Sequence, residues 1–137
     1  MSDFIVFGGI NMDLFAYVPR STQEGETIEA SSVEFYLGGK GANQAVALSR
    51  LGAEVSFVGT LGKDQFGKEL EALISAEKID LKNLRKQDGQ SGVALINVLK
   101  DGRNEVISFP GVNKKTSSKY VSAVSYTHLT LPTTRYV

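Results

Sequence analysis

Cysteine is absent from the 137 residues, and histidine occurs once, as His128. A disulfide scaffold, a cysteine nucleophile and a metal site rich in cysteine or histidine are thereby excluded. Neither sign of charge is in excess, since fifteen Lys and Arg balance fifteen Asp and Glu. The electrostatic footprint of a general nucleic-acid or anionic-membrane binder is missing. No apolar run approaches the ~20 residues that a membrane-crossing helix needs. The opening stretch Met1-Ser2-Asp3-Phe4-Ile5-Val6-Phe7 has no basic region and only a short apolar run. It does not read as a signal peptide, and a cytoplasmic protein is expected. What is present is ordinary: 42% hydrophobic and 22% charged residues, as in a globular domain rather than a disordered chain. The length suits one domain with a real core.

The apolar residues change period along the chain. Phe4-Ile5-Val6-Phe7, ended by Gly8-Gly9, predicts a short buried strand, and Leu14–Val18 a second extended stretch stopped by Pro19. Thr27–Leu37 is rich in β-branched and aromatic residues and predicts one or two strands. After Gly41 the small residues Ala42, Ala45, Val46 and Ser49, flanked by Leu48 and Leu51, fall at helical spacing up to Gly52. Val55–Val58 predicts another buried strand. Asp64 is placed to cap a second helix with Phe66, Leu70, Leu73 and Ile74 on its face. The stretch after Ile79-Asp80-Leu81 reads as exposed and polar. Val93–Val98 and Glu105–Phe109 predict a hairpin turned by Lys100-Asp101-Gly102-Arg103. Strand, extended insertion, helix, strand, helix, hairpin is the pattern of an α/β domain with a parallel core sheet and β-rich excursions.

Two constellations carry chemistry. Asn11-Met12-Asp13 follows the first strand, where open α/β sheets bind ligands. An amide and a carboxylate two residues apart can share one polyol, although for the pair read alone an Asx-turn closing the loop is the simpler explanation. Gly38-Gly39-Lys40-Gly41-Ala42-Asn43 stands at a strand-to-helix junction. Its glycines let the backbone approach a ligand, the helix N-terminus faces the same place, and Lys40 and Asn43 add polar groups. It matches neither Gly-x4-Gly-Lys-Ser/Thr nor Gly-x-Gly-x-x-Gly, so a nucleotide loop of either type is not supported. A tight turn with close helix–sheet contact is the competing account.

Taken in order, Gly8-Gly9-Ile10-Asn11-Met12-Asp13, Gly25-Glu26-Thr27, the run Gly38–Ala47, Leu51-Gly52-Ala53 and Val58–Gly67 resemble the PfkB carbohydrate kinase family, and ribokinases in particular. Ser91-Gly92-Val93-Ala94 and Pro110-Gly111-Val112-Asn113 agree with it. The resemblance covers about Phe4 to Asn113. It implies a ribokinase-like parallel sheet with flanking helices and a small β-sheet lid, built from strands in about 14–37 and 91–109. It implies transfer of the γ-phosphoryl group of ATP, with Mg²⁺, to a sugar or nucleoside hydroxyl. It implies an acceptor held by Asn11, Asp13, Gly39, Lys40 and Asn43, with Ala94 and Ile96 as apolar lid contacts. For those last two, ordinary alternating strand packing is an equal explanation. In many members the lid is also the dimer contact, so a homodimer is an expectation. A small-molecule sugar is the expected partner, with neither nucleic acid nor membrane involved.

The chain departs from the family in three ways. Phe109 and Pro110 replace smaller or more polar residues near a lid strand, which unsettles strict ribose specificity. The Gly-Ala-Gly-Asp motif of the catalytic base and the Asn-x-x-Glu motif linked to Mg²⁺ are absent from these residues. The expectation is therefore the sugar-binding, N-terminal part of such a kinase over residues 1–123, inactive alone and poorly soluble. Finally, 124–137 does not fit. Lys114–Ala123 reads as the start of a helix with Thr116 or Ser117 as cap, yet a Thr-rich, Pro-interrupted string follows. That string resembles a translated sequencing adapter, expected to be foreign to the fold, with a genuine β-prone tail as the alternative. His128 lies inside it and is given no role. Competing functions are a kinase for fructose, another ketose or a nucleoside, a non-catalytic sugar-binding module, and a structural domain whose glycines only shape turns.

Overall fold

The computed structural model describes residues 2–128. Two sheets share one chain. The first contains β1 (Phe4–Phe7), β4 (Val55–Gly62) and β5 (Leu84–Gln87) in the order β1-β4-β5, all parallel. Every residue of β4 is buried, as expected of a central strand covered on both faces. Helices α1 (Lys40–Arg50) and α2 (Gln65–Ser75) pack against it. The core gathers Ile10, Met12, Ala42, Ala45, Phe57, Leu61, Leu70 and Ile74.

The second sheet has the order β3-β2-β6-β7, from β2 (Asn11–Val18), β3 (Ser32–Gly38), β6 (Gly92–Leu99) and β7 (Asn104–Phe109). Strands β2 and β6 run parallel, and both outer pairs are antiparallel. These are the four segments expected to form the small sheet.

Local signals explain most boundaries. Asp64 caps α2 by accepting from the Gly67 N–H at 2.9 Å. The last turn of α1 closes with Gly52 N–H donating to the Ser49 carbonyl and Ala53 N–H to the Leu48 carbonyl. A 3₁₀ turn at Gly111–Lys115 leads to α3 (Ser118–His128), whose first turn receives Ser117 Oγ as an acceptor for Tyr120 N–H. Tyr120 then seats α3 beside β5, donating its hydroxyl to the Asn83 carbonyl and lying 4.2 Å from the Arg85 guanidinium. α3 continues through the buried Val124 to His128. Residues 129–137, most of the segment read as foreign, lie outside the described residues.

Several expectations need correction. β5 was not foreseen, because Leu-Arg-Lys-Gln shows one apolar residue to a sequence reading. β4 runs on through Gly59 and Gly62 rather than ending at Val58. Within Thr27–Leu37 one of the one or two expected strands forms, and it starts only at Ser32. Leu51 and Leu73 are exposed, because each falls at or beyond the edge of its helix's buried face. The hairpin turn at Lys100-Asp101-Gly102-Arg103 forms as expected, with Gly102 at positive φ and its N–H donating to the Leu99 carbonyl.

Candidate functional site

Asn11 and Asp13 are strand residues of β2, two apart, so both project from one face of the second sheet. The Asx-turn account of the pair is therefore overturned. Strand register carries that face across the sheet: Asp13 stands beside Ala94, and Ala94 beside Ser108. One step along, Ile96 stands beside Val106.

The opposite wall is the start of α1. β3 ends at Gly38 and the helix begins at Lys40, leaving Gly39 as the single joint, at φ 92°. A Cβ there would also lie 2.6 Å from the Gly9 carbonyl oxygen, so position 39 tolerates no side chain. One turn into the fold, Gly8 and Gly41 meet backbone to backbone, with room for no Cβ on either. The end of β1 and the start of α1 are thus pressed together. No side chain caps the first turn of α1, whose positive dipole end opens beside Lys40 and Asn43.

These walls enclose an open cleft of about 640 Å³. Asn11, Asp13, Gly39, Lys40, Asn43, Ala94 and Ile96, the seven residues singled out in the sequence, all line it. Gln44, Ala47, Val106 and Ser108 line it as well and were missed. The hairpin register, once assumed, would have put Val106 and Ser108 across from Ile96 and Ala94. Phe109 and Pro110 border a separate hollow with Gly111 and Val112, so the bulk noted there does not enter this cleft.

Asp13 is the cleft's only carboxylate among the lining residues. Burial pushes its pKa up from the usual value. Its Oδ1 is buried and has no hydrogen-bond partner. The space it occupies exists because residue 38 is glycine, where a Cβ would lie 1.9 Å from Asp13 Oδ2. An acceptor oxygen kept dry and unsatisfied at a polar cleft is suited to a ligand hydroxyl. Among the described residues no group of three or more His, Cys, Asp or Glu gathers to hold a metal. The cleft lining, with Asp13 as its one carboxylate beside the cationic Lys40, does not fit a Mg²⁺ site.

Comparison with known proteins shows the family and the fold. Residues 1–131 match the profile described as pfkB family carbohydrate kinase. Ribokinase from Haemophilus influenzae is 38% identical over 117 residues, covering 85% of this chain and 38% of that protein. The structure of Arabidopsis thaliana ribokinase complexed with ribose and ATP superposes with a TM-score of 0.72 at 32% identity, over 88% of this chain and 41% of that one. Ribokinase from Giardia lamblia superposes with a TM-score of 0.83 at 29% identity, over 93% and 39%. The chain spans about two fifths of the length of the relatives it matches.

Proposed function

The chain belongs to the pfkB family of carbohydrate kinases, and from that premise we propose that it supplies the acceptor-binding part of an ATP-dependent, ribokinase-like sugar kinase. The observation that carries the reading is the unsatisfied Asp13 carboxylate in a cleft shared with Asn11, Lys40 and Asn43. A sugar presents adjacent hydroxyls. Asp13 accepts from them, while Asn11, Lys40 and Asn43 donate to their oxygens. Ala94 and Ile96, both buried, close the side against the carbon skeleton and exclude water.

The overall reaction forms a bond between a sugar hydroxyl oxygen and the γ-phosphorus of ATP, breaks the bond from that phosphorus to ADP, and releases the hydroxyl proton. Such transfers depend on positioning and on charge stabilisation around the phosphoryl group. The residues here account for acceptor positioning. The base, the ATP contacts and Mg²⁺ binding are assigned to residues other than these, so residues 1–137 alone bind sugar without turning over ATP.

Isothermal titration with ribose, fructose and a nucleoside tests the reading, alongside an ATP-coupled phosphorylation assay. Saturable ribose binding that Asp13→Ala weakens about tenfold or more is expected, with no turnover by residues 1–137. Absence of binding to all three, or an affinity unmoved by Asp13→Ala, overturns the binding assignment. Turnover by residues 1–137 overturns the division of labour.

A further inference from the structure

Asn113 sits in the middle of the 3₁₀ segment after β7, 102 residues beyond Asn11, yet it grips the start of β2. Its Oδ1 accepts from the Ile10 N–H at 3.0 Å, and its Nδ2 donates to the Ile10 carbonyl at 3.1 Å. The same Nδ2 donates to Asn11 Oδ1 at 2.8 Å. A side-chain amide can in principle sit either way round, but a main-chain N–H only donates and a main-chain carbonyl only accepts. The Ile10 peptide unit therefore dictates which end of Asn113 is oxygen. With that settled, the Asn113 NH₂ group meets Asn11, and Asn11 must present its oxygen to it. The Asn11 NH₂ group is left for the cleft.

A third chain segment guards this contact. Gly92 pairs with Asn11 across β2 and β6. A Cβ on Gly92 would lie 2.2 Å from both Asn11 Oδ1 and Asn113 Nδ2. Three separated stretches thus converge on the orientation of one amide in the acceptor cleft.

We propose that Asn113 is a positioning residue that fixes Asn11 as a hydrogen-bond donor to the acceptor. The assignment rests on the sugar-binding reading of the cleft. It gives the site a defined polarity, with Asn11 donating and Asp13, two residues on, accepting. A hydroxyl set between them receives a hydrogen bond through its oxygen and donates its own O–H in a hydrogen bond to the carboxylate. Groups unable to do both, such as an ether oxygen or a methyl at that place, are discriminated against. Asn113 acts only through Asn11 and touches no ligand.

The test is a double-mutant cycle with ribose as the probe. In Asn113→Asp the Ile10 N–H keeps an acceptor, but the second oxygen now opposes both the Ile10 carbonyl and Asn11 Oδ1. Asn11 is then driven to turn its NH₂ group inward and its oxygen to the cleft. The expected result is a ribose Kd raised about tenfold or more by Asn113→Asp alone, and by less than about twofold in the Asn11→Ala background. Equal losses in both backgrounds would mean that Asn113 serves only the fold, and no loss in either would also overturn the assignment. A second readout needs no ligand. In the unsubstituted protein, the side-chain NH₂ protons of Asn113 should be protected from solvent exchange by NMR and those of Asn11 should exchange freely. The reverse pattern sinks the proposal whatever ribose does. Failure of ribose to bind a protein showing the expected exchange pattern would instead count against the sugar-binding reading.

Discussion

At Asp13 the requirements of folding and binding oppose each other. Burial raises the pKa of its carboxyl, so the folded chain holds that proton more tightly than the unfolded one. Stability contributed by this residue therefore falls as pH rises from the ordinary carboxylate value through the raised one, and the penalty is fully present above that raised value. Asp13→Asn removes it. The variant is expected to melt about 2–5 °C higher at pH 7 in scanning calorimetry while binding ribose about 10- to 100-fold more weakly. Ribose affinity should also fall as pH drops through the Asp13 pKa, since a protonated carboxyl is a poorer acceptor, and titrations across that range check it. Gly38→Ala reaches the same carboxylate sterically, because the new Cβ has no room beside Oδ2. It should reproduce the affinity loss of Asp13→Asn without the gain in melting temperature.

Elements show why some of this was legible in the sequence and some was not. Asp64 reads directly as a cap, since its task is local: its Oδ1 accepts from Gly67 N–H three residues on. Its other bonds are not local. The Ser91 hydroxyl donates to Oδ1 at 2.7 Å and the Ser91 N–H to Oδ2 at 2.9 Å, tying α2 to the entry of β6. Burial pushes the Asp64 pKa up, but these bonds outweigh it and hold it below the usual value. The stability it adds is present above the ordinary carboxylate pKa and lost as pH falls through the lower folded value. Asp64→Ala should cost about 2–3 kcal/mol at neutral pH by urea denaturation, the cap and the Ser91 bonds together, and less in acid. The same divide separates the rest. Phe4–Phe7 showed as a short apolar run ended by glycines, and α1 as a stripe of small residues at helical spacing. β5 stayed hidden because its Arg85 and Lys86 belong to a strand at the sheet's edge. Asn11 and Asp13 could be nominated but not placed on a common strand face, and Asn113 left no local period at all, because its partners lie 102 and 103 residues away.

Across the whole molecule, the second sheet turns Asp13, Ala94 and Ser108 toward the cleft and a different set outward. Phe35, Leu95 and Ile107 lie exposed on that side, in one row across the four strands with Leu14, which is half-buried against the core. Phe35 is 54% and Ile107 68% exposed, with Val33 and Phe109 nearby. An apolar row of this extent on an outer face marks an interaction surface, and a second copy of the chain is the proposed occupant. The expected outcome is a dimer by sedimentation equilibrium that Phe35→Glu with Ile107→Lys converts to monomer. An unsubstituted protein that is already monomeric would refute it.

The bonds from Asn113 to Ile10 and Asn11 also put the site on a clock. Ribosomes deliver roughly 5–20 residues each second, so Asn11 leaves the peptidyl centre roughly 5–20 s before the residue that orients it. Throughout that interval the amide has no fixed polarity, and the outward row of the second sheet is filled strand by strand. A nascent chain halted before residue 113 would carry Asn11, Asp13, Lys40 and Asn43 and still lack the side chain that holds the Asn11 amide one way round.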